Sequence, residues 1–418
     1  MSVRTRDNKK NLQVADDGAA SLQASNMTAR PKNWICHQCC SGLSTNATPY
    51  SSSSEDEGEN EEANQTSRRV VLVLTFSDIS EQAEEDSDKS EIQRLVKSEI
   101  LSNCCLASTF LRSEQANASE VEDIQEQVLR FLQVKDKYLA LGSVLLKSQA
   151  FHLTYDAKSS RSSSIPVVAL PRTEFKKPYI PTQITDNRPN DVKEEDVYPL
   201  SISHQFPFVG SARVDTSDSD SSAQRPKAGL DIVTFDDYNP RLHSNLQEFM
   251  AVFRSSFTAW EWSRIHAENA SHLHEFYVRW SIKEAYTKAL GVGLGFEFDS
   301  FDTRLAGVDD DENGDTSGLW SQISTCPGGI SLLGSVVFRK SIKPLEFWDF
   351  FFIPLYEKRN QNDSTDLAPA RGCACVCAGP FPESPQESGN QSTRYRTIVE
   401  WTELEKLAEW HVRGTAHI

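Results

Sequence analysis

No apolar run in this chain approaches the roughly 20 residues that a bilayer-spanning helix needs, so no membrane partner is expected. The stretch from Met1 to Leu12 lacks the apolar core of a secretory signal, and the early acids Asp7, Asp16 and Asp17 are unlike a transit peptide. A basic excess is missing too. With 43 Lys and Arg against 60 Asp and Glu the net charge is −17, which argues against nucleic acid as the main partner, because phosphate backbones reward clustered cations. The nine cysteines are odd in number and bunched at Cys36/Cys39/Cys40, Cys104/Cys105 and Cys373/Cys375/Cys377, with Cys326 alone. That is not the spacing of a secreted disulfide framework, and a reduced, cytosolic protein is expected. Cys36-His-Gln-Cys39-Cys40 offers half of a zinc knuckle, but no second ligand pair follows at zinc-finger spacing.

Much of the chain is not core material. Residues 1–67 are rich in Ser, Asn, Asp and Glu and end in the run Ser51 to Glu62; they bury too little to fold alone and read as a disordered acidic tail. Arg69 to Thr75 reads as the first strand of a folded lobe, with helical patterns over Glu91–Ser102, Val121–Gln133 and Lys137–Ser148. A Ser-rich loop covers 156–165, and the Ser/Asp tract from Asp215 to Ser222 marks a boundary between an N-terminal lobe, 68–222, and a C-terminal lobe, 223–418. The second lobe is expected to hold a strand at 229–234, helices near 244–267 and 275–290, and strands near 296–301, 331–338, 347–355 and 372–378. Cys373, Cys375 and Cys377 alternate with Ala374 and Val376, which puts them on one face of the last of these strands. Mixed elements of this kind give an α+β fold.

The chemistry concentrates in two stretches. Trp280, Glu284 and Lys288 fall at successive steps of four and share one helical face, with Gly291 as a stop just beyond Leu290. Asp231 sits inside the apolar, strand-like Ala-Gly-Leu-Asp-Ile-Val, where an unpaired buried carboxylate is costly and a partner is required. Two carboxylates from separate elements, with a lysine one turn beyond the second, suit a hard divalent cation that also holds a phosphate, and magnesium is the natural choice. Spacing alone favours the plainer reading, a surface Glu284–Lys288 ion pair with Asp231 capping a loop. Asp309-Asp-Asp-Glu-Asn-Gly-Asp315 imitates a calcium loop, yet Trp320 stands where its closing Glu belongs, so it reads as a solvated acidic loop. Gly291, Gly293 and Gly295 miss the dinucleotide fingerprint, since Phe296 replaces the last glycine. His272 and His274 read as surface or capping residues.

Four ordered motifs add a resemblance. Trp280-Ser-Ile-Lys-Glu-Ala-Tyr-Thr-Lys288 with Gly291-Val-Gly-Leu-Gly-Phe296 resembles the W-(S/A)-x-K-E-(S/A)-x-x-K motif of the 4′-phosphopantetheinyl transferases, and Gly229-Leu-Asp-Ile232 resembles that superfamily's G-(I/V)-D-(I/V). Leu200-Ser-Ile-Ser-His204 is similar to its (N/S)-(I/V)-S-H segment, and Arg172-Thr-Glu-Phe-Lys-Lys-Pro178 to its R-T-x-x-G-K-P segment. The likeness covers roughly residues 70 to 300 and is to the two-lobed, single-chain type.

This resemblance implies two similar lobes, each a sheet packed with a long helix, with the active site between them. It implies transfer of 4′-phosphopantetheine from coenzyme A to a serine of an apo acyl or peptidyl carrier protein, releasing adenosine 3′,5′-bisphosphate. The carriers in view are those of fatty acid, polyketide or peptide synthases and of an aminoadipate reductase. Asp231 and Glu284 are expected to bind Mg2+, Glu284 also to take the serine proton, and Lys288 to face the departing phosphate. Lys135, Arg172, Lys177 and His204, with Ser203 and Thr173 as hydroxyl donors, are candidates for holding the ribose 3′-phosphate, and Lys176 is a further one. Lys147 and Lys283 read as solvated lysines that a phosphate would recruit. A monomer is expected. The chain departs from the pattern at Lys176, where the family has glycine, at Val233, where bacterial members carry a third acid, and at Lys135, where arginine is common. A magnesium-dependent phosphohydrolase and an inactive coenzyme A-binding scaffold are the alternatives.

Overall fold

Val70–Asp78 (β1) is buried along nearly its whole length, with Leu72, Leu74 and Phe76 entering one core while the residues between them face the opposite side, the pattern of a strand covered on both faces. The structure, a computed structural model, describes residues 35–36, 70–86, 89–112, 114–155, 165–181, 197–216, 226–238, 245–267, 272–309, 318–338, 346–356, 369–381 and 395–413. Chain contacts separate residues 1–32, outside this set, from a unit of residues 33–418. Of the tail read at residues 1–67 only Ile35 and Cys36 are described, and Cys39 and Cys40 lie outside the described residues.

Within that unit the N-terminal lobe continues with the long helix Val134–Tyr155 (α1) and the strands Leu200–Gln205 (β2) and Phe208–Thr216 (β3). The C-terminal lobe comprises Lys227–Thr234 (β4), Ala259–Ala267 (α2), His272–Leu290 (α3), Phe301–Leu305 (β5), Ile330–Phe338 (β6), Glu346–Leu355 (β7) and Gly372–Phe381 (β8). The last elements are Tyr395–Trp401 (β9) and Leu404–Arg413 (α4).

The sheet of the C-terminal lobe runs β6-β7-β8-β4, all antiparallel, with β5 and the short strand Ile35–Cys36 also pairing β6. The other sheet runs β9-β1-β3-β2, and β9 lies parallel to β1. Tyr395–Trp401 thus belongs to the N-terminal sheet, which corrects the assignment of everything after 223 to the second lobe. Leu404 and Leu407 of α4 enter the same core as α1, and burial of each such side chain is worth about 1.5–3 kcal/mol.

The two sheets share an apolar core, with Leu74 and Phe76 from one and Leu230, Ile232, Phe351 and Val376 from the other. Helix α1 covers the outer face of the first sheet and α3 that of the second. The layers run helix, sheet, sheet, helix, the α+β arrangement expected. Cys373, Cys375 and Cys377 share one face, as their alternation requires, and pack under α3 with Val233. Two expected elements differ. The 244–267 helix is broken into Leu246–Ala251 and α2 by a 3-10 turn at Arg254–Ser256. The strand expected from 296 begins only at Phe301, because Phe298–Ser300 forms a 3-10 turn.

Candidate active site

Strands β2 and β4 are the facing edges of the two sheets, and no backbone ladder joins them. Alternate side chains of β2 reach across instead. Ser201 Oγ accepts the Leu230 N–H at 2.9 Å, Ser203 Oγ accepts the Ile232 N–H at 3.1 Å, and Gln205 Oε1 accepts the Thr234 N–H at 3.1 Å. The period of two along both strands brings each acceptor opposite one inward N–H, so the edge amides of β4 are satisfied without a paired strand.

Asp231 is 6% exposed and lies on the face of β4 turned toward α3. How near α3 can come is decided at Gly229, where a Cβ would stand 1.8 Å from the Ala285 carbonyl oxygen and 2.5 Å from the Ala289 nitrogen. The missing side chain lets the helix rest on the strand backbone, and Glu284 and Lys288, one turn apart, flank Asp231. Lys288 Nζ lies 2.5 Å from Asp231 Oδ1 and 3.0 Å from Ser203 Oγ, which is itself 3.3 Å from Asp231 Oδ1. Because the ammonium and the Ile232 amide both donate to Ser203, its own hydroxyl hydrogen is left to point at the carboxylate. Burial pushes the Asp231 carboxyl above the usual carboxylate range, and Lys288 and Ser203 pull against that rise. Glu284 is half-buried, and no described residue donates a hydrogen bond to its carboxylate. Burial and then the neighbouring charge of Asp231 raise its pKa, with Lys288 opposing.

The candidate phosphate ligands fall into separate groups. Lys147, on the inward face of α1, stands beside Arg172, and burial followed by that guanidinium lowers its pKa to about 8. His204 is near both Lys147 and Lys288; crowding by the site walls and then those two charges lower its pKa, while Asp136 raises it. Lys135 lies twelve residues before Lys147 on α1, about 18 Å along the helix axis. It lines a cleft of about 460 Å³ with Asp136, Gln205, Phe206, Thr234 and Arg371. Arg371, whose Nε donates to Asp236 at 2.6 Å, had no local sequence signal, because only the fold brings the start of β8 to this cleft.

Other candidates have structural work. Lys177 Nζ donates to the carbonyls of Ala289 at 2.9 Å and Ala228 at 3.3 Å, tying the end of α3 to β4. Thr173 Oγ1 accepts the Lys177 N–H at 3.2 Å in a tight turn. Lys176 in that turn is left-handed at φ +64°, so the glycine conformation of the motif survives with a lysine in it. Lys283 does not face water, contrary to its reading as solvated. It is fully buried, 2.8 Å from Glu261, and donates to the carbonyls of Phe298 at 2.6 Å and Phe301 at 2.8 Å. The helix phase explains this, since Lys283 is turned about 100° from Glu284. Asp309, read as part of a solvated loop, has a buried side chain 3.0 Å from Arg279, which also pairs with Glu275 at 2.8 Å; residues 310–317 lie outside the described set. His274 stacks on Trp320, and His272 meets the His266 carbonyl at 3.1 Å.

Among the described residues no group of three or more His, Cys, Asp or Glu is placed to enclose a metal. Asp231 and Glu284 supply two hard oxygen donors on one side only. That donor set fits magnesium, which keeps several waters and is bound by one or two carboxylates together with substrate phosphates.

Residues 227–320, which contain Asp231, Glu284 and Lys288, match the family model described as the 4′-phosphopantetheinyl transferase superfamily. The match covers that stretch alone, under a quarter of the chain. It is 30% identical over 182 residues to a phosphopantetheinyl transferase of Thraustochytrium sp., covering 42% of this chain and 54% of that protein. Against the L-aminoadipate-semialdehyde dehydrogenase-phosphopantetheinyl transferase of Mus musculus it is 26% identical over 179 residues, 41% of this chain and 48% of the relative. With the Rattus norvegicus protein of the same name the identity is 44% over 55 residues, 13% of this chain and 18% of the other. The chain spans about half the length, or less, of these curated relatives.

Proposed function

We propose that the chain transfers the 4′-phosphopantetheine group of coenzyme A to a serine of an apo carrier protein and releases adenosine 3′,5′-bisphosphate. The observation that carries this reading is the meeting of Asp231, Glu284 and Lys288 at the seam of the two sheets, inside the segment matched to the superfamily. In the reaction the serine oxygen bonds to the phosphorus that bears pantetheine, the bridging P–O bond breaks, and the hydroxyl proton must leave. Glu284 is the acceptor in this reading, directly or through water, because its half-buried carboxylate stands beside Asp231 and Lys288 at the seam. The Lys288 ammonium offsets charge that develops on the departing phosphate. Asp231 and Glu284 would hold magnesium, which when bound neutralises pyrophosphate charge. Lys147 and Arg172, with His204 near Lys147, and Lys135 about 18 Å away along α1, are the groups left for the ribose phosphate and the rest of the donor.

Carriers of fatty acid, polyketide or peptide synthases and of an aminoadipate reductase are the acceptors in view, the last supported by the names of the mammalian relatives. The free thiols of Cys104, Cys105, Cys326, Cys373, Cys375 and Cys377 support a cytosolic location, and we take the working form to be a monomer. Incubation with coenzyme A, Mg2+ and apo-carrier, followed by mass spectrometry of the carrier, tests the reading. The expected result is one added phosphopantetheine, lost in Glu284→Gln. Release of adenosine 3′,5′-bisphosphate with no gain in carrier mass would turn the reading into a phosphohydrolase.

A further inference from the structure

Resting on the metal reading above, we propose that Lys288 is the resting occupant of the metal site, and that loading the divalent cation is an exchange in which the ammonium is driven off Asp231. The geometry is specific. Lys288 Nζ lies 2.5 Å from Asp231 Oδ1, on a carboxylate that is 6% exposed, and Ser203 Oγ anchors the ammonium at 3.0 Å. Ser203 is itself fixed by the Ile232 amide at 3.1 Å, so the ammonium is held by a group that cannot follow it. A divalent ion on the same carboxylate would stand a few ångströms from this charge, and the two cations repel. Glu284 stands beside both groups, feeling the charge of Asp231 and, in the opposite sense, that of Lys288. A phosphate oxygen brought in with the metal gives the displaced ammonium a new partner. Metal and phosphate donor therefore enter as a coupled pair, and each is weak alone.

The test reads metal binding, not turnover. Mn2+ is titrated against the full chain at pH 8, with free Mn2+ followed by electron paramagnetic resonance, first alone and then with coenzyme A. Lys288→Met and Lys288→Gln are expected to bind Mn2+ alone roughly tenfold more tightly than the unaltered chain and to lose most of the enhancement that coenzyme A gives. Lys288→Arg retains the charge and is expected to stay close to the unaltered chain. Ser203→Ala frees the ammonium without removing it and is expected to give a smaller gain. Unchanged or weaker Mn2+ binding in both neutral variants, with thermal unfolding showing them folded, overturns the exchange while leaving the transferase reading in place. No Mn2+ binding to the unaltered chain even with coenzyme A overturns the exchange and the metal reading together.

Discussion

The Ser203 hydroxyl oxygen stands 3.1 Å from the Ile232 amide nitrogen while also touching Asp231 and Lys288, so one atom belongs both to the seam between the sheets and to the candidate site. Ser201 does the first job without the second, accepting only the Leu230 N–H. Replacing either serine by alanine leaves a buried amide without its acceptor, at a cost of about 1–3 kcal/mol. Urea denaturation is expected to show similar losses for Ser201→Ala and Ser203→Ala. Carrier modification is expected to fall in Ser203→Ala alone.

Gly229 sets the distance between α3 and β4. An alanine there drives a methyl group into the Ala285 carbonyl, and the helix must move away from the strand. Since a misplacement of about 1 Å can cost on the order of 10²-fold in rate, Gly229→Ala is expected to lose at least that much carrier modification. Its melting temperature is expected to fall as well. An unchanged rate would mean that Glu284 and Lys288 need not be held so close to Asp231.

Lys176 occupies a left-handed backbone at φ +64° where glycine is conformationally at home. A non-glycine residue there costs about 1–2 kcal/mol, and the greater freedom of glycine in the unfolded chain returns about 0.5–1 kcal/mol of that. Lys176→Gly is therefore expected to stabilise the chain by about 0.5–1 kcal/mol in chemical denaturation. If the lysine also holds a phosphate, the KM for coenzyme A rises in the same variant.

The Lys283–Glu261 pair is fully desolvated, with two carbonyls completing the shell of the ammonium. Removing one partner strands a buried charge, so Lys283→Met is expected to cost about 3–5 kcal/mol. The double variant Lys283→Met/Glu261→Leu is expected to recover much of the loss, because a well-packed apolar pair avoids desolvation. Denaturant midpoints of the two single variants and the double variant measure the difference.

His411 is a buried residue of α4, its ring centroid 6.1 Å from that of His152, and burial followed by the charge of that neighbour lowers its pKa to about 4. The ordinary value near 6.5 applies in the unfolded chain, which therefore takes up a proton that the folded chain refuses. The sign follows: the contribution of neutral His411 is intact above about pH 6.5 and is lost as pH falls from there toward 4, by up to roughly 3 kcal/mol. His411→Phe is expected to flatten the stability profile between those limits. A profile with the same slope in the variant would assign the acid sensitivity to other groups.

Where the sequence was readable, it was readable because the information is local. Trp280, Glu284 and Lys288 announce a helix face by their spacing, and the alternation of Cys373, Cys375 and Cys377 announces a strand covered by α3. What stayed hidden depends on distant partners. Tyr395–Trp401 has no period or turn that assigns it to a lobe, because its place is set by backbone pairing with β1, more than 300 residues earlier. Arg371 reaches the Lys135 cleft only through the register of β8 on β4. Lys283 sits in a motif that invites a phosphate reading, and its burial is fixed by Glu261 and the Phe298–Phe301 turn, neither visible from its neighbours. Ser203 reads in the sequence only as a phosphate ligand, and nothing local marks Ser201 or Gln205, because a side-chain seam between two sheet edges leaves no hydrophobic signature.

The parallel pairing of β9 with β1 has a consequence for how the molecule is made. On the ribosome the first strand emerges more than 300 residues ahead of its outer neighbour, with one edge bare meanwhile. Nascent chains halted short of residue 395 are thus expected to engage chaperones through that bare edge, and a length of chain beyond the matched domain governs the maturation of the lobe made first.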